Sequence, residues 1–131
     1  MSKKALIITD GTDSIQTIAQ LISQALTGFK VKVCPAEHFD GTDLLAADLF
    51  FVGCSKAKPS SFSYFEQMLS HINFASRKCG IFSVNEKTLK YLSKILKDCE
   101  VDIGAPLYVA SKKIPEPALK NWVMGIVKNQ Q

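Results

Sequence analysis

The sequence predicts an α/β fold of three layers, a sandwich in which helices cover both faces of a five-stranded parallel sheet with the order 2-1-3-4-5. Two observations predict it. Strand-like and helix-like segments alternate along the chain, and most of the strand-like segments are continuous apolar runs, as expected for a sheet covered on both faces. Right-handed crossovers leave few topologies, and this order is common at such a size. We therefore predict one domain over residues 1–131.

The first unit of the chain is a strand, a polar turn and a helix. Ala5–Ile8 is a continuous apolar run and predicts a buried strand. Thr9–Asp13 contains small, polar residues that suit a turn. From Ser14 the apolar residues recur at helical spacing, and the helix is expected to end near Gly28.

The middle of the chain predicts two more strands and a second long helix. Lys30–Cys34 alternates polar and apolar residues, as in a strand near the sheet edge, and Asp43–Ala47 forms at most a helical turn. Asp48–Gly53 is again continuous and apolar, which favours a central strand. The helix that follows is marked by Phe62, Phe65, Leu69 and Ile72, and its expected caps are Ser60, Ser61 or Ser63, the last forming a capping box with Glu66.

The last part of the chain repeats the alternation. Lys78–Val84 predicts a strand, after which Asn85 is expected to cap a helix. One further strand is expected over 101–110, interrupted or begun at Gly104–Pro106. Two prolines, Pro115 and Pro117, open the final helix.

Three loops converge in this topology at the carboxyl ends of the strands, where open α/β sheets bind ligands. They are Thr9–Ser14, Cys54–Ser61 and Ser83–Glu86. The first loop places hydroxyls and N–H groups at a helix N-terminus, which favours an anion such as a phosphate. A capped turn without any ligand explains the same spacing equally well.

Composition narrows the possible partners. The net charge of +4 is small and the lysines are dispersed, so an acidic partner or an anionic ligand is favoured over nucleic acid. No apolar run reaches the length of a membrane span and no secretory leader is evident, so we expect a cytoplasmic protein without a membrane partner. The cysteines lack Cys-x-x-Cys spacing and lie in or beside apolar segments, which predicts buried thiols.

These residues resemble the short-chain flavodoxins, FMN-containing electron carriers, along nearly the whole chain. The first loop of that family reads Ser/Thr-x-Thr-Gly-x-Thr, and the loop here reads Thr9-Asp10-Gly11-Thr12-Asp13-Ser14. Asp48–Ser55, Lys78–Ser83 and Ala105–Val109 look like the family's third, fourth and fifth strands, and the fifth strand lacks a long insertion. The resemblance implies a flavodoxin-like fold that holds FMN without a covalent bond. It also implies a monomer that exchanges electrons with redox partner proteins through transient contacts and catalyses no reaction of its own.

By the same resemblance, three segments would bind FMN. The phosphate would be held in the first loop, where Thr9, Thr12 and Ser14 supply hydroxyls and residues 10–14 supply amides. The flavin would lie between the second and third loops. The cofactor-binding residues implied are Thr9, Asp10, Gly11, Thr12, Asp13, Ser14, Cys54, Ser55, Lys56, Ala57, Ser83 and Asn85. Catalytic and metal-binding residues are not implied.

The chain departs from the family pattern in ways that predict weakened flavin binding. Gly11-Thr12 stands where the family has Thr-Gly, so a Cβ at residue 12 is expected to hinder a positive φ. Asp13 adds a carboxylate near the expected anion, and Ala57 stands where the family usually has a stacking aromatic. The side chains of Tyr64 and Phe62 are the nearest substitutes, although both suit the second long helix better.

Lysines are expected along the same edge, where they would raise the potential of a bound flavin by favouring its anionic reduced form. They are Lys56, Lys58, Lys87, Lys112 and Lys113. A solvated basic rim is the simpler explanation for any one of them.

Other proteins of this topology fit the sequence poorly. A phospho-accepting receiver domain needs an aspartate at the end of the third strand, where this chain has Gly53-Cys54. A cysteine-dependent phosphatase needs an arginine in the loop after its nucleophile, and Cys54–Ser60 contains none. Two hypotheses remain: an electron carrier that binds FMN, and a flavodoxin-like domain that has lost its flavin and acts as a binding or regulatory module.

Overall fold

The computed structural model describes residues 3–38, 41–74, 77–109 and 114–128. Every strand pairing in its sheet is parallel, and the strands run in the order β2-β1-β3-β4-β5, with β6 also paired to β4. The strands are β1 (Lys3–Thr9), β2 (Phe29–Pro35), β3 (Leu49–Gly53), β4 (Lys78–Ser83), β5 (Asp102–Ile103) and β6 (Leu107–Tyr108). The predicted fold class and strand order are confirmed.

Helices cover both faces of this sheet. Side chains of α1 and α5 pack on one face with Ile7 and Phe51, while those of α2, α3 and α4 pack on the other with Leu6 and Phe50. The helices are α1 (Asp13–Ala25), α2 (Gly41–Ala46), α3 (Ser63–Leu69), α4 (Glu86–Lys97) and α5 (Glu116–Lys128), with 3₁₀ turns at Ala36–His38 and Ser60–Phe62.

The central strands are apolar on both faces because both faces are covered. All five residues of β3 are buried, and Ala5, Leu6, Ile7 and Ile8 of β1 are each at most 2% exposed. Strand β2 lies at one edge and alternates, with Lys30 and Lys32 exposed. These three strands thus form where the sequence predicts them, and they carry the first and second loops to one edge.

The last strand forms two pieces of two residues each, β5 and β6, and both pair with β4. Residues 104–106 separate the pieces, so the expected interruption is confirmed. Pro106 has no N–H group for the ladder. The indole Nε1 of Trp122 donates to the carbonyl of Ala105 at 2.6 Å, so a helix α5 side chain satisfies a carbonyl between the two pieces.

The expected capping box at the start of α3 is wrong, whereas the cap of α4 is confirmed. The chain is already wound in the 3₁₀ turn before α3, and the N–H of Ser63 is bonded to the carbonyl of Ser60. Helix α3 therefore begins without a side-chain cap. Asn85 does cap α4, since its Oδ1 accepts from the N–H of Lys87 at 3.0 Å.

Gly53, at the end of β3, is a position where an added methyl group has no room. A Cβ there would lie 2.3 Å from the ring of Phe82, which is fully buried. We expect Gly53→Ala to lower the free energy of unfolding by about 1–3 kcal/mol, because the overpacked ring must move. Denaturation in urea measures the change.

Gly125→Ala provides the matched control. Gly125 lies within α5 and an added Cβ would meet nothing within 4 Å. The alanine should raise stability by about 0.5–1 kcal/mol through helix propensity. Equal stability of the two variants would contradict the predicted clash at Gly53.

Candidate functional site

The three predicted loops meet at the carboxyl edge of the sheet, around the switch point between β1 and β3. Hydrogen bonds join them directly. The N–H of Ser55, after β3, donates to the Asp10 carboxylate after β1, and the Ser83 hydroxyl of β4 donates to the carbonyl of Cys54. Residues 45 and 29 positions apart in sequence are thereby held together.

The backbone of the first loop accommodates the exchanged Gly-Thr pair. Gly11 takes the left-handed conformation, with φ +80°, and Thr12 is extended, with φ −71° and ψ 149°. The expected hindrance from a Cβ at residue 12 is therefore wrong, because the bend places its positive φ one residue earlier. Gly11 is required for its backbone alone, since an added Cβ would meet nothing within 4 Å.

The Asp10 carboxylate accepts four hydrogen bonds and joins the first loop to the second. Its Oδ1 accepts from the N–H and the hydroxyl of Thr12, at 3.1 and 2.7 Å. Its Oδ2 accepts from the N–H and the hydroxyl of Ser55, at 2.7 and 2.8 Å. The sequence predicts hydroxyl and amide donors in this loop, with Asp13 as the carboxylate near the expected anion. Instead Asp10 points into the loop, while Asp13 is exposed.

Asp10 is ionised at neutral pH. Burial of the side chain raises the pKa of Asp10. The hydrogen bonds from Ser55 and Thr12 together outweigh this effect, so the pKa lies below the ordinary value of 3.8. A negative charge is therefore fixed inside the loop that was expected to receive an anion.

The remaining donors of the first loop fall into two groups. The Thr9 hydroxyl is buried, donates to Oε1 of Gln16 at 2.8 Å and accepts from the N–H of Gly11 at 3.3 Å. By contrast, the N–H groups of Asp13 and Ser14 have no hydrogen-bond partner within the described residues, and both residues are exposed. The start of α1 therefore has N–H donors open to solvent, whereas the donors of the bend before it are bonded to the loop's own side chains.

The second loop is a turn that is anchored at Ser55 and exposes two lysines. Ser55 is fixed by Asp10, and Lys58 has a φ of +49° before the buried Pro59. Between them Lys56 and Ala57 are exposed, as is Lys58 itself. The turn thus presents two ammonium groups to solvent beside the first loop.

Cys54, at the base of this loop, is chemically inert at neutral pH. Burial, and then the negative charge of Asp10, raise the pKa of its thiol to about 12. The other three cysteines are also buried and unpaired, so the prediction of buried thiols is confirmed.

The third loop uses its predicted residues for structure. The Ser83 hydroxyl donates to the Cys54 carbonyl at 2.7 Å and accepts from the N–H of Asn85 at 3.1 Å. The Asn85 side chain caps α4. Ser83 therefore holds the ends of β3 and β4 together, Asn85 starts α4, and an exposed Lys87 follows.

Two residues at this edge were missed from sequence. The sequence pattern places Gln16 in a helix and does not indicate that its side-chain oxygen accepts a hydrogen bond from the Thr9 hydroxyl. Tyr108 was assigned only to the last strand, yet it is 43% exposed and stands in register with Ser83. The position of Tyr108 at the carboxyl end of a predicted strand is the sequence feature that indicates its place at this edge. Of the two aromatics considered earlier, Phe62 is fully buried and Tyr64 is 51% exposed.

Over residues 3–38, 41–74, 77–109 and 114–128, no three His, Cys, Asp or Glu side chains are grouped so as to hold a metal ion. No helix within the same ranges is long and apolar enough to cross a membrane.

Comparison with known proteins places the fold. No family model and no curated protein sequence matches the chain. Solved structures do: a short-chain flavodoxin associated with a PDU bacterial microcompartment superposes with a TM-score of 0.86 and 17% identity, covering 100% of both chains. A Streptococcus pneumonia TIGR4 flavodoxin gives 0.80 and 15%, over 97% of this chain and 99% of that one. Flavodoxin 2 from Bacillus cereus gives 0.79 and 19%, over 95% and 98%. The chain therefore has the flavodoxin-like fold.

The same fold also occurs within longer chains. A flavo-di-iron protein mutant from Thermotoga maritima superposes with a TM-score of 0.80 and 12% identity, covering 100% of this chain but 36% of that one. The likeness thus extends to a part of a larger protein as well as to free-standing flavodoxins.

The Asp10 carboxylate predicts a pH-dependent contribution to stability. At neutral pH, Asp10→Asn should lower the free energy of unfolding by about 1–3 kcal/mol, because an amide cannot accept four hydrogen bonds. A depressed folded pKa stabilises the protein above the unfolded value of 3.8, and this stabilisation is lost as the pH falls through the folded value. The gap between wild type and variant should therefore be constant near neutrality and shrink in acid, as followed by urea denaturation.

Asp48→Asn is the control for this prediction. Asp48 accepts from the N–H of Lys4 at 2.8 Å at the opposite edge of the sheet. An equal loss of stability in both variants would show that the four bonds of Asp10 contribute no more than the contacts of Asp48 at the opposite edge, and would contradict the prediction.

The buried cysteines predict resistance to alkylation. Iodoacetamide at mildly alkaline pH should leave the folded protein unmodified, since the thiolate is the reactive form and the thiols are covered. Mass spectrometry after unfolding in denaturant should show four adducts. Rapid modification of Cys54 in the folded protein would contradict its assigned burial.

Proposed function

We propose that this chain binds FMN without a covalent bond and carries electrons between larger enzymes. The observation that carries the proposal is the exposed start of α1 at the switch point of a flavodoxin-like sheet. There the N–H groups of Asp13 and Ser14 have no hydrogen-bond acceptor among the described residues. The full-length likeness to free-standing flavodoxins supports it.

The residues of the carboxyl edge have distinct roles in this proposal. The N–H groups of Asp13 and Ser14, with the Ser14 hydroxyl, would hold the phosphate. The turn Ser55–Lys58 and the segment Ser83–Asn85 would flank the flavin, which supplies the redox chemistry when bound. Tyr108 offers an aromatic face at this edge in place of the one missing at Ala57.

The exposed lysines set the charge of the rim. Lys56, Lys58 and Lys87 are exposed on or beside the second and third loops, while Lys112 and Lys113 lie outside the described residues. Their positive charges favour a reduced, anionic flavin over the neutral oxidised form, and they attract acidic faces of redox partner proteins. Contacts of this kind are transient and weaken as salt is added.

The second candidate is a flavin-free domain that acts as a binding or regulatory module. The bonds of the Asp10 carboxylate favour it, because they already occupy the N–H groups of Thr12 and Ser55. The alanine at position 57 favours it as well, since loss of one aromatic stack costs about 1–3 kcal/mol.

Titration with FMN separates the two candidates. A carrier should quench flavin fluorescence, shift the absorption band and melt at a higher temperature with FMN present. Lack of any change up to about 1 mM FMN, where binding free energy falls to ~4 kcal/mol, would instead support the flavin-free module.

The lysine rim predicts a change in redox potential. Replacing both Lys56 and Lys58 by glutamine should lower the midpoint potential of the reconstituted protein by roughly 20–60 mV, the equivalent of about 0.5–1.4 kcal/mol for one electron. Redox titration measures this shift.

A double replacement of Lys97 and Lys128 by glutamine is the matched control. These lysines end α4 and α5, far along helices that run away from the carboxyl edge. Equal potentials in both double variants would contradict an effect specific to the rim.

A further inference from the structure

We infer that Asp10 acts as an internal anion that closes the phosphate loop and discriminates against a flavin that carries a phosphate. The inference rests on the proposed function, since it concerns how that site selects its ligand. It adds a specificity-determining residue that opposes binding, and it predicts a variant that binds FMN more tightly than the natural chain does.

The contacts of Asp10 are those that a bound anion makes. Its two oxygens each accept one backbone N–H and one hydroxyl, from Thr12 on one side and from Ser55 on the other. Donors of both kinds are the ones that hold a phosphate in loops of this type. The carboxylate thus satisfies in the free protein a set of donors that a ligand oxygen would otherwise use.

Electrostatics adds to this competition. A phosphate bound at the N–H groups of Asp13 and Ser14 would lie three or four positions along the chain from the ionised, partly buried Asp10, and the two negative charges would repel each other. Asp13 is exposed and can turn its carboxylate to solvent, but Asp10 is fixed by its four bonds. Repulsion by Asp10 weakens the binding of a flavin that carries a phosphate and leaves the binding of a flavin without a phosphate unchanged.

The same bonds connect the phosphate loop to the flavin loop. Ser55 begins the turn that exposes Lys56 and Ala57, and its N–H and hydroxyl both depend on Asp10. Removal of this carboxylate therefore affects both loops, because Thr12 and Ser55 share it as their hydrogen-bond acceptor.

The test compares two ligands that differ only in the phosphate. Dissociation constants for FMN and for riboflavin are measured by fluorescence quenching for the wild type, Asp10→Asn and Asp48→Asn. We expect Asp10→Asn to tighten FMN binding by about tenfold or more while changing riboflavin binding less than about threefold. Asp48→Asn, which removes the same charge at the opposite edge, should change neither constant.

A second variant, Asp10→Ser, keeps the test possible if Asp10→Asn does not fold. In Asp10→Ser the hydroxyl can still accept from the N–H of Thr12, as in a serine turn, but carries no charge. It should shift the ratio of the two constants in the same direction. Melting temperatures without ligand are expected to fall in both variants, while the increase in melting temperature on adding FMN becomes larger.

Three outcomes are decisive. If the ratio of the FMN and riboflavin constants is the same in wild type, Asp10→Asn and Asp10→Ser, the inference is wrong and the proposed function stands. A gain for both ligands alike would also overturn it, because the effect would then be loop flexibility rather than charge. If neither flavin binds any variant, the proposed function fails and the inference fails with it.

Discussion

Burial of the parallel sheet on both faces is the constraint from which the rest of this structure follows. Ala5–Ile8 of β1 and all of β3 are apolar and buried because helices cover them on either side, so these segments offer a ligand no polar side chain. Polar groups are left to the loops where strands end. Since all the strands are parallel, the ends of β1, β3 and β4 fall at one edge, and the candidate site is the meeting of those loops.

Within that edge, stability and binding draw on the same donors. A half-buried N–H group costs free energy when it lacks a partner, and the Asp10 carboxylate removes this cost for Ser55 in the absence of any ligand. A loop whose N–H groups are already hydrogen-bonded is more stable, and it binds a ligand more weakly. Proteins often show this exchange between a well-satisfied site and an active one.

Local patterns predicted most of the architecture, and contacts between distant segments account for what they missed. The apolar run of β3 and the cap at Asn85 depend on neighbouring residues, so both could be predicted from the sequence. The orientation of Asp10 depends on Ser55, 45 residues away, and no spacing rule reports such a contact. The hydrogen bond between the Trp122 indole and the Ala105 carbonyl likewise joins residues 17 positions apart, and the sequence pattern does not indicate it.

The two outer margins of the sheet have a consequence for assembly. One margin, β2, exposes Lys30 and Lys32, and the other is reduced to pairs of residues separated by Pro106. Exposed ammonium groups and a missing amide both make a strand a poor template for a neighbouring molecule. Pairing of two folded chains through either margin of the sheet is therefore disfavoured.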